Sequence, residues 1–300
     1  MDKSIPIFEL VISLKYEVIY WFPINLTKFH FGFRCPRRTH HPVAWTILPA
    51  AIIKSDAAKS QIIALFDTAP RRTYRRSDLL KILTEHRDEW GGGAAYWGQA
   101  EFINFLLENT DLEKINLYSE RYGDEARYIW RYASTFDIAL SLRRHSYLTH
   151  GTAISLHRLT RETPTTVYLN HEQSAKPRGG TLSQEAIVRA FGSPQRRSNY
   201  VLSYNGVDIM IINGKNTGRL GVIELTGADG ETLELTSIER TLIDSSVRPG
   251  YAGGISSVVE AFRGARETVS TAGLLTMLQR LDYNGGAYFT LPASELNLRK

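Results

Sequence analysis

Cysteine is almost absent from this chain. Cys35 is the single one in 300 residues, so no intrachain disulfide forms and no cysteine-based zinc site can be assembled. A reducing, cytoplasmic setting fits. Long apolar runs are missing too. The most apolar stretch, I-P-I-F-E-L-V-I-S-L-K-Y-E-V-I-Y-W-F from Ile5, is interrupted by Glu9, Lys15 and Glu17. It is too short and too charged for a membrane span. It also lacks the cationic start, clean apolar run and small-residue cleavage site of a secretory leader.

Catalytic signatures are equally scarce. There is no phosphate-loop pattern, no Gly-x-Ser-x-Gly and no paired-carboxylate spacing. Gly192-Ser193 followed by Asp208 is similar to the opening of a nucleotidyltransferase site. That chemistry needs two carboxylates in register on one strand to hold metal ions, and Met210 stands where the second belongs. A metal-dependent nuclease needs an Asp and then Glu-x-Lys on a strand. Here Asp208 and Glu224 supply acids, but Leu225-Thr226 come next with no lysine. Cys35 with His40-His41 lacks further ligands, and adjacent histidines rarely share one ion. His145, His150, His157 and His171 have no converging acid or nucleophile. The expectation is a non-enzyme with no metal and no cofactor.

What is present is a core-forming composition, 43% hydrophobic and 11% aromatic, with a net charge of +5 and a pI near 9.2. Such a balance admits nucleic acid as a partner without demanding it. The charge is uneven. Residues 1–55 carry seven Lys/Arg against three Asp/Glu, residues 56–131 eleven against 13, and the remainder 18 against 15. The middle block is net negative, so a nucleic-acid contact there must rest on local clusters.

Residues 1–55 show no repeat or helical pattern tied to the later chain. They are expected to lie outside the functional fold, as a start codon assigned too far upstream would place them. Order is expected from Asp56. Ala58, Ile62, Leu65 and Phe66 share one helical face, closed by Pro70. After R-R-T-Y-R-R, Ser77 caps a second helix with Leu79, Leu80 and Leu83 inside. A turn at Gly91–Gly93 leads to a third helix, with Phe102, Phe105, Leu106 and Leu107 inward. Then I-N-L-Y-S, a polar turn and R-Y-I-W-R-Y read as a hairpin. Three helices and a hairpin is the order of a winged helix-turn-helix. Its third helix would enter the major groove and its hairpin would act as the wing. Arg71, Arg72, Arg75 and Arg76 are the candidate phosphate clamp. Tyr96, Trp97, Gln99 and Asn104 are placed to reach bases or sugar, and Arg121 and Arg127 fall on the wing. The competing reading is a protein-contact module, supported by the negative charge of this block.

From Tyr132 the pattern mixes helices and strands without βαβ alternation, giving an α+β or mixed α/β domain. A helix is expected around Phe136–Leu142 and a strand at T-T-V-Y-L-N. A further helix is expected at Leu182–Phe191. Hairpins turn at Asn205-Gly206 and Asp229-Gly230. Thr236 and Glu239 stand at capping-box spacing, and Arg240 and Asp244 form an i,i+4 pair. Arg248-Pro249-Gly250 ends that helix, and Ile255, Val258, Val259 and Phe262 mark the next. A last helix covers Thr271–Leu281.

The strings E-R-T-L-I-D, V-R-P-x-Y-A-G-G and V-x-E-A-F resemble the AbiEi family of antitoxins and transcriptional regulators. So do S-L-R-R-H-S-Y-L-T-H-G-T-A-I-S-L-H-R-L-T, P-T-T-V-Y-L-N-H-E-Q-S, Q-R-R-S-N-Y and N-G-K-N-T-G-R-L-G-V. The resemblance spans about Asp56 to Tyr283 and lies in many strings in one order. The segment before Asp56 and the ending L-D-Y-N-G-G-A-Y-F-T-L-P depart from it. It implies a transcriptional autorepressor of a bacterial type IV toxin–antitoxin system, binding inverted repeats at its own promoter. Its functional partner would be an AbiEii-like nucleotidyltransferase toxin, countered without a stable direct complex. Arg196, Arg197 and Lys215 would be second-domain DNA contacts. The organisation expected is therefore 1–55 as an extension, 56–131 as a winged helix-turn-helix and 132–300 as an AbiEi-like antitoxin domain, cytoplasmic and nucleoid-associated. The alternative is a module that neutralises the toxin by direct contact.

Overall fold

The computed structural model describes residues 8–12, 19–23, 50–90, 97–162, 164–175 and 197–282. The chain divides into two compact units, Met1–Ile47 and Leu48–Lys300. In the first, strands β1 (Phe8–Ile12) and β2 (Ile19–Pro23) pair antiparallel, Phe8 opposite Pro23 and Ile12 opposite Ile19.

The second unit opens with helix α1 (Ala50–Thr68), which starts six residues before the expected Asp56. Ala58, Ile62 and Phe66 are buried, and Leu65 packs against them. A short strand β3 (Thr73–Tyr74) then interrupts the arginine stretch, and helix α2 runs Arg76–Trp90. Ser77 therefore lies inside the helix and does not cap it. Asp78, the third helical residue, instead reaches back and accepts the backbone N–H of Arg75, just before the helix, at 3.0 Å. Helix α3 (Gln99–Asn109) begins where Glu101 accepts the Gly98 N–H at 2.7 Å. Strands β4 (Leu112–Leu117) and β5 (Glu125–Trp130) form the expected hairpin, and β3 adds to its free side, giving the order β3-β5-β4. Phe66 stacks on Trp130 with ring centroids 4.8 Å apart, and Phe102, Leu79, Leu83 and Leu106 complete this core. Each such buried side chain contributes roughly 1.5–3 kcal/mol.

Beyond Arg131 the fold is mixed, as the element order anticipated. Helix α4 (Thr135–Leu142) is capped by Ser134, whose hydroxyl accepts the Asp137 N–H at 3.1 Å. Next along the chain are β6 (Tyr147–Leu148), α5 (His150–Leu156), β7 (Thr166–Glu172), β8 (Val201–Tyr204), β9 (Val207–Gly214), β10 (Val222–Thr226) and β11 (Thr232–Thr236). They make a six-stranded sheet ordered β10-β11-β6-β7-β9-β8. The pairs β11–β6 and β7–β9 are parallel; β8–β9 and β10–β11 are the two hairpins read from Asn205-Gly206 and Asp229-Gly230. Asn205 and Gly206 both take positive φ, 48° and 77°, which a two-residue turn of this hand requires. Helices α6 (Ile238–Val247), α7 (Ile255–Ala265) and α8 (Thr271–Leu281) close the chain's described part. The helix expected at 182–191 lies outside the described residues.

One cap shifts by a residue. Thr236 does not cap α6; β11 runs through it, and its carbonyl is held by His157 Nε2 at 2.7 Å. The helix consequently starts one residue later, on Ser237, whose hydroxyl accepts the Arg240 N–H. Glu239 completes the corner by accepting the Ser237 hydroxyl at 3.1 Å.

The β4–β5 hairpin belongs to two cores at once. Strand side chains alternate between faces. Tyr128 and Trp130 pack with the three-helix core, whereas Ile129, Ile115 and Leu117 pack with the core of the six-stranded sheet. The boundary read at residue 131 thus falls inside one compact unit whose two cores share a hairpin.

Candidate nucleic-acid interface

The arginine stretch leaves few free cations. Arg72 turns back on α1, donating to the Phe66 carbonyl at 3.2 Å and the Asp67 carbonyl at 3.4 Å. Arg75 donates through Nε to the Ser141 carbonyl at 2.8 Å, so it bridges to α4. Arg71, exposed, is paired with Asp78 at 3.2 Å. Arg76 is exposed and makes no side-chain hydrogen bond or ion pair with the described residues. Bonds from a charged donor are typically worth about 1.5–3 kcal/mol, so Arg72 and Arg75 are structural first. Of the four arginines expected to form a phosphate clamp, Arg76 is therefore the one whose guanidinium is unengaged among the described residues, and Arg71 would have to give up its Asp78 pair.

Helix α3 presents Gln99 and Asn104 to solvent, as the spacing indicated. Trp97 does not project outward; it packs half-buried against Phe105 and Phe102, with centroids 4.5 and 5.9 Å away. Tyr96 lies outside the described residues. The α3 sequence holds no Lys or Arg, and Glu101 and Glu108 are exposed on it.

The hairpin is docked. Tyr118 and Ser203 exchange backbone hydrogen bonds of 3.0 and 2.8 Å, joining the end of β4 to β8. Tyr122 in the turn stacks on Tyr200 at 4.1 Å and donates to Asn199 at 2.8 Å. Between them lies Glu125. Its carboxylate accepts from Arg127 at 2.8 Å, Arg143 at 2.9 Å and Tyr200 at 2.8 Å. Burial works to raise its pKa, but the hydrogen bonds from Arg143, Tyr200 and Arg127 outweigh burial and hold it down at about 2. Arg127 is only 6% exposed. Its Nε donates to the Ser141 hydroxyl at 3.2 Å, and it reaches the Leu142 carbonyl. The expectation that Arg127 stands on the wing surface is therefore corrected: residue alternation turns it inward, onto α4. Arg121, in the turn, is exposed.

Of the second-domain candidates, Arg197 donates to the Gly250 carbonyl at 3.1 Å from an exposed position. Lys215 donates to the Leu281 carbonyl at 3.1 Å and pairs with Asp282 at 3.9 Å, which ties it to the end of α8. Arg196, Gly192, Ser193, Cys35, His40 and His41 lie outside the described residues. Asp208 accepts the Ser203 hydroxyl at 2.6 Å. No three His, Cys, Asp or Glu side chains among the described residues gather at metal-binding geometry.

The E-R-T-L-I-D string has a clear structural meaning. Arg240, 2% exposed, pairs with Asp244 at 3.2 Å as the i,i+4 spacing required. It also donates to Tyr147 Oη at 2.7 Å, to Thr217 Oγ1 at 2.9 Å and to the Leu220 carbonyl, with Glu172 at 3.7 Å. One side chain thus fastens α6 to β6, β7 and the turn before β10. Tyr147, Glu172 and Thr217 escaped sequence reading because they stand far from it along the chain, and no local spacing marks them. Glu125, Arg143 and Tyr200 escaped for the same reason.

Between the two cores lies a groove of about 730 Å³. Lys81, Arg143 and Arg144 line it together with Asp78, Glu85 and Glu234, so it carries both signs rather than a basic track. No described helix is long and apolar enough to cross a membrane. No family model matches the chain, and no curated protein shows significant similarity to it.

Proposed function

We propose that this chain is a DNA-binding regulator whose residues 50–130 form a winged helix-turn-helix. The observation that carries the reading is the element order α1-β3-α2-α3-β4-β5 with a sheet ordered β3-β5-β4, the three helices and appended hairpin of that module. In such a module α3 enters the major groove. Gln99 and Asn104, exposed on α3, are the base-reading candidates, because their amides offer a donor and an acceptor together. Arg76 and Arg121 are the phosphate contacts, with Arg197 a further one from the second half. The order of AbiEi-like strings from Asp56 to Tyr283 supports an antitoxin that represses its own promoter. Its toxin would be an AbiEii-like nucleotidyltransferase, opposed without a stable complex, in the cytoplasm and on the nucleoid.

A second reading is favoured by a specific observation. The helix that would read DNA carries two exposed glutamates and no cation, and the hairpin is docked on β8. A protein-contact module that neutralises the toxin directly would look this way. A mobility shift of the full chain on DNA upstream of its own gene, against scrambled DNA of equal length, separates the two. The regulator binds selectively and weakens steeply with salt, because phosphate contacts release counterions. Absence of selectivity at low salt refutes it; co-purification with the neighbouring gene product then supports direct contact.

A further inference from the structure

A second cavity, of about 250 Å³, opens beside α6. At ~30 Å³ per water it holds roughly eight solvent molecules, enough for a small metabolite and far too little for a nucleic-acid strand. Its polar lining is His150, Asn170, Lys215, Arg240, Asp244 and Arg248. Arg240 and Asp244 neutralise one another, and Lys215 is drawn toward Asp282. The Arg248 guanidinium has no hydrogen bond or ion pair with the described residues, so among the cations of this lining it is the one not neutralised by a neighbouring carboxylate.

His150 is the second observation. The residue is 5% exposed, and its backbone sits in the left-handed region, φ 50°. Strain of this kind persists only where surrounding structure enforces it. Nδ1 is engaged by the Thr149 hydroxyl at 3.0 Å. Nε2, on the opposite edge, is buried and makes no hydrogen bond of good geometry, the Asp244 backbone carbonyl offering the ring only a weak one. Burial pushes the ring's pKa down to about 4, and Arg248 and Arg240 add to that against the opposing pull of Asp244. The ring is therefore neutral, and a Thr149 hydroxyl donating to Nδ1 would leave Nε2–H as a donor. Gly214 completes the wall: a β-carbon there would overlap the Asn170 amide, so the glycine is what admits that side chain.

We infer that this cavity is a binding site for a small oxyanion-bearing metabolite, a phosphomonoester or a carboxylate, held by the Arg248 guanidinium and His150 Nε2–H. An anion satisfies the Arg248 cation and the poorly satisfied His150 donor together, and Arg supplies two parallel N–H groups to either oxyanion. The inference does not depend on DNA binding.

The test is thermal unfolding of the full chain at constant ionic strength, with chloride replaced stepwise by inorganic phosphate or by malonate. A saturable rise in Tm with phosphate assigns a phosphate ligand, and one with malonate assigns a carboxylate. Arg248→Ala, which removes no hydrogen bond or ion pair to the described residues, should weaken the apparent Kd by at least about tenfold. Arg76→Ala should leave the response unchanged. No rise above chloride, an equal rise in Arg248→Ala, or loss of the rise in Arg76→Ala overturns the site. If Arg248→Ala fails to fold, the His150 Nε2 resonance of the unaltered protein decides. Movement on adding the anion supports the contact, and a stationary signal refutes it.

Discussion

Replacing Glu125 by Gln should loosen the docking of the hairpin in a way that pH reveals. The carboxylate is 20% exposed and accepts from Arg127, Arg143 and Tyr200, which hold its pKa at about 2 against an ordinary value of 4.5. That fall of about two and a half pH units, at ~1.36 kcal/mol per unit, corresponds to roughly 3 kcal/mol. Because the folded pKa lies below the unfolded one, this contribution is present above pH ~4.5 and fades as pH falls toward 2. Urea unfolding of both proteins from pH 7 to pH 3 should therefore show Glu125→Gln less stable by about 3 kcal/mol at pH 7. About half of that difference should remain at pH 3. A difference independent of pH would show that Glu125 acts by packing and not by charge, and would refute the account of the cluster. The same cluster decides whether the hairpin is free to serve as a wing, so the measurement bears on function as well as stability.

Other expectations rest on particular contacts. Arg240→Met takes from the buried Asp244 its ion-pair partner and from Tyr147 and Thr217 a donor, and should cost about 3–5 kcal/mol, a fall in Tm of roughly 6–20 °C at 2–4 °C per kcal/mol. Adding Asp244→Leu should restore about half of it, since a buried pair is often replaceable by apolar groups; a single-variant loss under ~1 kcal/mol would remove Arg240 from its central place. Gly264→Ala in α7 tests sign rather than size. Helix propensity alone favours Ala by ~1 kcal/mol, but the new β-carbon would stand 2.8 Å from the Leu159 carbonyl. Chemical denaturation should therefore show a net loss of about 1–3 kcal/mol, and a gain would refute the packing. For DNA, Arg76→Ala and Arg121→Ala should each flatten the salt slope by about 1 with unfolding unchanged. Unaltered slopes would take both out of the interface.

Much of the architecture was legible because it rests on local physics. Apolar spacing marked α1, α2 and α3. Asn205-Gly206 and Asp229-Gly230 marked two hairpins, since few residues other than Gly and Asn accept positive φ. The Arg240–Asp244 pair came from helical geometry. Local reading failed where two signals competed within one or two residues. Ser77 and Asp78 both suit a helix start, and Thr236 and Ser237 both suit the next. Where each helix began, and so which side chain met its first N–H groups, was set by where the preceding strand ended.

The sequence by itself determined the element types, the mixed class, the scarcity of catalytic patterns and the net negative charge of residues 56–131. Tertiary structure alone decided which charges are free. Arg72, Arg75, Arg76 and Arg127 look alike in the chain. Three of them are consumed by carbonyls and carboxylates of α1, α4 and β5, and Arg76 is left to solvent. It also decided that β4–β5 serves two cores, and that His150, Asn170 and Arg248 meet around one cavity. The physical reason is range. Backbone propensity and side-chain period act over a few residues. A buried charge, in contrast, is satisfied by whatever partner the fold brings within about 3 Å, however distant that partner is along the chain.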